Sequence, residues 1–186
     1  MKPINLSTQY DGDFVRMVEE QSEEKMSHCY QCGNCTAGCP FSFAYDVPVN
    51  QIMRLVQAGQ KDAVLGCKSI WLCATCETCT TRCPNNIDVA RVIDVLRQIA
   101  RREGRIAVSE VAQFRDAFLQ SIQAHGRLFE TGLLAKFVAK TGRGMADFSL
   151  GPQIFSKGKL SFLPQRIKGK AEVAKIFERF EKGAAS

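Results

Sequence analysis

The chain has 186 residues, 45% of them hydrophobic and 24% charged, and a formal net charge of +6. That balance excludes a disordered chain and suits one compact domain, or one domain with an appended helical lobe. No stretch approaches the roughly 18 apolar residues of a membrane span, the best being residues 132–138 with Lys136 inside it. The basic residues are scattered and carry no recognition motif, which argues against nucleic acid. Nine cysteines, with no apolar leader after Met1, place the chain in a reducing cytoplasm.

Residues 1 to 10 read as an extended arm. Asp11 or Asp13 then caps a helix predicted to run to about Met26, with Phe14, Met17 or Val18 and Met26 inward. The first of two cysteine runs follows: Cys29-Tyr-Gln-Cys32-Gly-Asn-Cys35-Thr-Ala-Gly-Cys39-Pro40. His28, just before it, is read as a partly exposed histidine, with a hydrogen bond to a ligand sulfur as the sharper option. Val47-Pro48 opens a helix to about Ala58 with Ile52, Leu55 and Val56 apolar, closed by Gly59. A short helix from Gln60 or Lys61 to Leu65 comes next. Cys67 falls outside both runs and reads as a buried structural thiol. Trp71 is expected to pack over the second run, Cys73-Ala-Thr-Cys76-Glu-Thr-Cys79-Thr-Thr-Arg-Cys83-Pro84.

Beyond Pro84, Asn86 or Asp88 starts a helix in which Val89, Val92, Ile93, Leu96, Ile99 and Ala100 recur at helical spacing. Arg91, Asp94, Arg97, Arg101 and Arg102 are assigned to its solvated face, and Gly104 ends it. Ser109 caps a helix to about His125, with Val111, Phe114, Phe118 and Ile122 inward. Another is predicted from about Thr131 to Lys140. The Gly-x-Gly at 142–144 completes no phosphate-loop or dinucleotide pattern. The tail alternates apolar clusters with Gly151-Pro152, Lys157-Gly158-Lys159 and Leu163-Pro164. A final amphipathic helix at about Lys170 to Glu181 aligns Val173, Ile176, Phe177 and Phe180. Such a tail suits docking on another protein chain or packing on its own domain. Almost no period-2 pattern occurs, so the fold class is mainly α. The domain reading is 1–27 an N-terminal arm and helix, 28–106 a two-cluster domain, and 107–186 a C-terminal helical extension and docking tail.

Both cysteine runs read C-x2-C-x2-C-x3-C-P, the spacing of bacterial-type ferredoxins with two [4Fe–4S] clusters. Three cysteines at two-residue gaps wrap one cubane. The fourth, turned away by its proline, reaches the other cluster. Cys29, Cys32, Cys35 and Cys83 are thus expected to hold one cluster, and Cys73, Cys76, Cys79 and Cys39 the second. Gly33, Ala37, Gly38 and Ala74 are read as keeping side chains off the inorganic core. Zinc sites built from paired C-x2-C units take four ligands and leave none over, unlike these runs. A disulfide framework is not needed in a chain this long. Deprotonating eight thiols around two 2+ cores would reduce the formal charge to about +2.

The words at 29–40, 69–76 (Ser-Ile-Trp-Leu-Cys-Ala-Thr-Cys) and 79–84, with the tail at 157–169, resemble the C subunits of heterodisulfide reductases. The resemblance covers most of the chain from about Phe14. It implies an α-helical ferredoxin with two [4Fe–4S] clusters that passes electrons between two partners of a heterodisulfide reductase-like complex. One is the flavin- and cluster-bearing A subunit, the other the catalytic B subunit carrying CCG motifs. The chain has no CCG and no flavin or nucleotide fingerprint, so disulfide chemistry is not expected here and no residue is assigned as acid, base or nucleophile. The alternative is the iron–sulfur subunit of a flavin-dependent hydroxy-acid or dicarboxylate dehydrogenase. A third option is clusters that only stabilise the fold.

Overall fold

The structure is a computed structural model that describes residues 10–142, 157, 161, 163–165 and 167–184. The expected arm at 1–9 and the tail clusters at 151–156 and 158–160 lie outside the described residues, as does most of the Gly-x-Gly stretch. The chain divides into two compact units, Met1–Val108 and Ser109–Ser186. The described residues contain helices and turns and no strand. None of their helices is long and apolar enough to cross a membrane.

The first unit opens with α1, Gly12–Ser22, whose N-cap is Asp11 accepting the Phe14 N–H at 2.8 Å. The helix stops four residues short of the predicted Met26, because Glu23 adopts a left-handed conformation (φ 59°). The Glu19 carboxylate then accepts the Met26 N–H at 2.8 Å. This ties α1 to a short 3-10 turn at Met26–His28, where Met26 is still buried. α2 is Asn34–Ala37, within the first cysteine run. α3, Val49–Gln57, starts at Pro48 and buries Val49, Ile52, Met53 and Val56. Gly59 follows at φ 61°, with its carbonyl accepting the Asp11 N–H at 3.1 Å. A Cβ there would collide with the Asp11 backbone, so this position requires glycine twice over.

α4 (Lys61–Leu65), α5 (Ser69–Leu72) and α6 (Thr78–Thr81) are short and frame the second run. α7, Val89–Arg102, is capped by Asp88, which accepts the Arg91 N–H at 3.0 Å. Its predicted apolar stripe is buried throughout, together with Val95. At roughly 1.5–3 kcal/mol per buried aliphatic side chain, that stripe is a main source of cohesion. α7 packs against α1, α4, α5 and α6.

Arg97 corrects the reading of the opposite face. It is 8% exposed, whereas Arg91, Arg101 and Arg102 are exposed. Cys67 is 4% exposed, and burial pushes its thiol up from the usual value. Trp71 is fully buried in the core, and its indole N–H has no hydrogen-bond partner there.

The second unit contains α8 (Ser109–His125), α9 (Glu130–Thr141) and α10 (Lys170–Ala184). α8 packs on α9 and α10. Its buried residues are Ala112 and Ala117 rather than the expected large side chains. Phe114 is 40% exposed and meets Phe137 edge to face at 5.5 Å. On α10, Phe180 is 75% and Ile176 56% exposed.

Candidate metal centres

The first unit is an internal repeat, and the repeat builds two matching hollows. In the first loop Gln31 (φ 64°) and Gly33 (φ 82°) are left-handed; in the second, Thr75 (φ 53°) and Glu77 (φ 61°) occupy the same steps. Alternating hands turns successive backbone N–H groups toward one side, a nest suited to anionic sulfur. Each non-glycine residue so held costs about 1–2 kcal/mol, strain the rest of the loop must sustain.

A threonine after the third cysteine of each run locks the loop to a long helix. Thr36 Oγ1 donates to Asn50 Oδ1 (2.7 Å) and accepts the Asn50 N–H (2.9 Å). Thr80 Oγ1 donates to Asp88 Oδ1 (2.9 Å) and accepts the Ala90 N–H (3.2 Å). Asn50 and Ala90 are the second residues of α3 and α7.

A second clamp lies deeper along each helix. Gln57, the ninth residue of α3, donates from Nε2 to the carbonyls of Met26 (2.7 Å) and Cys29 (2.8 Å). Arg97, the ninth residue of α7, donates to the carbonyls of Ile70 (2.8 Å) and Cys73 (3.0 Å). Ile70 and Cys73 are the counterparts of Met26 and Cys29. Neither threonine nor either clamp residue stands out in the sequence, although aligning α3 and α7 at their first residues places Gln57 opposite Arg97.

One hollow is walled by Cys29, Cys32, Cys35 and Cys83, with Asn50, Met53, Ile87 and Val89. The other is walled by Cys39, Cys73, Cys76 and Cys79, with Tyr45, Val49, Ala90 and Ile93. Both hollows are partly open to solvent. The exchange of Cys39 and Cys83 is repeated by the helices: Val49 and Val89 each line the hollow of the other half. Cys67, His28 and Trp71 are on neither wall. His28 is exposed, and its carbonyl accepts a hydrogen bond from the Asn85 side chain. Gly38 does not face open space: Arg82 lies against it where any Cβ would collide.

The donor set fits a cationic iron–sulfur core. Burial pushes the Cys35 thiol up, and it pushes the Cys79 thiol up to about 11, with the Cys73 charge adding to the effect. Thiolates in such places need a positive charge beside them, which a metal core supplies. Donors are already aimed at the sulfurs. Gln31 Nε2 lies 3.3 Å from Cys29 Sγ, the Ile87 N–H 3.4 Å from Cys83 Sγ, and the Thr75 N–H 3.5 Å from Cys73 Sγ. The Thr78 hydroxyl, 3.4 Å from Cys76 Sγ, holds that exposed thiol below its usual value. Among the described residues no three Cys, His, Asp or Glu side chains gather around a single-ion position. The four sulfurs of each set ring a hollow instead.

Comparison with known proteins agrees with this chemistry. Residues 25–87 match the 4Fe-4S dicluster domain family, which implies two [4Fe–4S] clusters. The chain is 27% identical over 135 residues to the C subunit of the H(2):CoB-CoM heterodisulfide,ferredoxin reductase of Methanothermobacter thermautotrophicus, covering 73% of this chain and 62% of the relative. It is 33% identical over 116 residues to the iron-sulfur C 2 subunit of the CoB--CoM heterodisulfide reductase of Methanocaldococcus jannaschii, covering 61% of this chain and 62% of the relative. A third relative, the C subunit of the Ferredoxin:CoB-CoM heterodisulfide reductase of Methanosarcina acetivorans, is 39% identical over 89 residues, 48% of this chain and 35% of its own length. The chain thus spans less than two thirds of each of these relatives. It is similar to the C subunits of heterodisulfide reductases over about half to three quarters of its length, and residues 25–87 match a 4Fe-4S dicluster domain.

Proposed function

We propose that the chain is the electron-relay component of a cytoplasmic heterodisulfide reductase-like complex. In this reading it connects a flavin- and cluster-bearing A subunit to a disulfide-converting B subunit. The observation that carries it is the pair of matched four-thiol hollows in one helical unit, each completed by a cysteine from the other half. Cys29, Cys32, Cys35 and Cys83 would hold one cluster, and Cys39, Cys73, Cys76 and Cys79 the other. When bound, such clusters supply reversible one-electron transfer and nothing else. The residues around them hold the sulfurs in place, donate hydrogen bonds to them and keep water from the inner walls. Breaking a disulfide takes two electrons and two protons, and two one-electron sites can store the electron pair together.

Residues 28–106 are the relay in this scheme, residues 1–27 an arm and helix, and residues 107–186 the docking extension. The exposed Ile176 and Phe180 on α10 support docking by the last of these. The dehydrogenase alternative finds no support among the relatives described above, whose names all specify heterodisulfide reduction. The test is anaerobic reconstitution followed by iron analysis, a reductive EPR titration and co-purification. About eight irons per chain, two interacting reducible centres and capture of a CCG-motif protein are expected. About four irons with one isolated signal, or disulfide turnover by the chain alone, would refute it.

A further inference from the structure

The repeat that makes the two hollows alike in shape makes them unlike in charge. At the same step of α3 and α7, the same pair of loop carbonyls is clamped by a neutral amide, Gln57, in the first half. In the second half the clamp is a guanidinium, Arg97, 8% exposed. The first hollow is lined by neutral residues besides its cysteines, Gln31, Asn50 and Met53 among them. Hydrogen bonds to sulfur do not separate the two: Gln31 and the Ile87 N–H reach Cys29 and Cys83 in the first, and the Thr75 N–H and the Thr78 hydroxyl reach Cys73 and Cys76 in the second.

Resting on the two-cluster reading above, we infer that the two sites are electronically inequivalent and that the Cys39/Cys73/Cys76/Cys79 site, beside Arg97, holds the first electron to enter the chain. Gaining an electron makes a cluster and its thiolates more negative. A nearby cation and hydrogen bonds to sulfur therefore favour the reduced state. Two carboxylates oppose this. Asp94 pairs with Arg97 Nη1 at 3.0 Å, and its side chain is 45% exposed. Glu77 lines the second hollow but is exposed. Water and salt screen both more than they screen the buried guanidinium, so the net bias follows Arg97. Arg97 is a positioning and tuning residue: it touches the Cys73 carbonyl, and its charge sets the preference of the site.

The experiment is an EPR-monitored dithionite titration of the anaerobic, fully loaded chain. One electron from dithionite goes to each cluster in turn. The wild type should show two one-electron waves separated by at least a tenfold equilibrium preference, about 59 mV. Arg97→Gln, which copies the Gln57 clamp, should lower the upper wave and leave the lower one unmoved. Arg97→Lys should preserve the upper wave. Asp94→Asn, at a half-exposed position, should raise it, and decides the matter if Arg97→Gln does not retain about eight irons. An upper wave that stays put in both Arg97→Gln and Asp94→Asn, or a shift confined to the lower wave, overturns the inference and leaves the two-cluster reading standing. A wild-type chain with only one reducible centre overturns both.

Discussion

The exchange of the fourth cysteines can be tested by pairing variants. In the double variant Cys39→Ala/Cys76→Ala both lost sulfurs belong to the hollow of Cys73 and Cys79, and the Cys29, Cys32, Cys35 and Cys83 wall keeps all four. In Cys32→Ala/Cys39→Ala each hollow loses one. Cys32 and Cys76 are exposed and Cys39 half-buried, so the packing cost is small, about 1 kcal/mol or less per site. Differences between the two proteins therefore report cluster retention. The first should keep about four irons and a single uncoupled [4Fe–4S]1+ EPR signal. The second should keep no intact four-sulfur site and no such signal. Iron and sulfide analysis after anaerobic reconstitution, with EPR of the reduced samples, reads both. If each run instead held its own cluster, the outcomes would be reversed, and that reversal would refute the shared-wall reasoning. Because metal binding contributes to folding free energy, thermal stability should fall further in the second protein than in the first.

Other outcomes follow from the geometry. Thr80→Val removes a hydroxyl bonded to both Asp88 and the Ala90 N–H and should cost about 1–3 kcal/mol in chemical denaturation. Glu77→Gly relieves a left-handed residue and should gain up to about 1 kcal/mol, while Gly33→Ala, which puts a Cβ on a residue at φ 82° that lines the first hollow, should lose at least a similar amount. Burial raises the Asp46 carboxyl, but the N–H groups of Lys68 and Ser69 and the Ser69 hydroxyl outweigh it and hold the group below its usual value. Its stabilisation should be complete above about pH 4 and fade as pH falls through the lower folded value, so the deficit of Asp46→Asn in urea unfolding should shrink only on the acid side. Ile176→Glu/Phe180→Glu should leave iron content and helicity unchanged and reduce partner capture at least tenfold; equal capture would remove α10 from the docking surface.

Much of the local structure is legible in residue order alone. The six-residue stripe from Val89 to Ala100 is buried throughout, and Asp88 and Asp11 are the caps that their side chains suit. Helix ends are less legible: Glu23 stops α1 in a conformation its residue type does not announce. Phe114 defeats a reading by hydrophobicity, which does not reveal that Ala112 and Ala117 are the buried positions of α8. Arg97 defeats it for a sharper reason. By helical spacing it shares a face with Ile93 and Ala100, but its charge suggests solvent. What allows it inside is a set of acceptors, the carbonyls of Ile70 and Cys73, that lie more than twenty residues away in the chain.

The sequence alone determined the chemistry: thiols at cubane spacing, a mainly helical chain, and the family likeness, all carried by residue types and short-range periods. The tertiary structure alone decided which helix clamps which loop and which side chains line the two hollows. It also decided that one clamp is neutral and the other charged. Those relations join residues far apart in the chain, through backbone carbonyls that every residue possesses. No local pattern can mark them, and they exist only once the two halves have closed around the hollows.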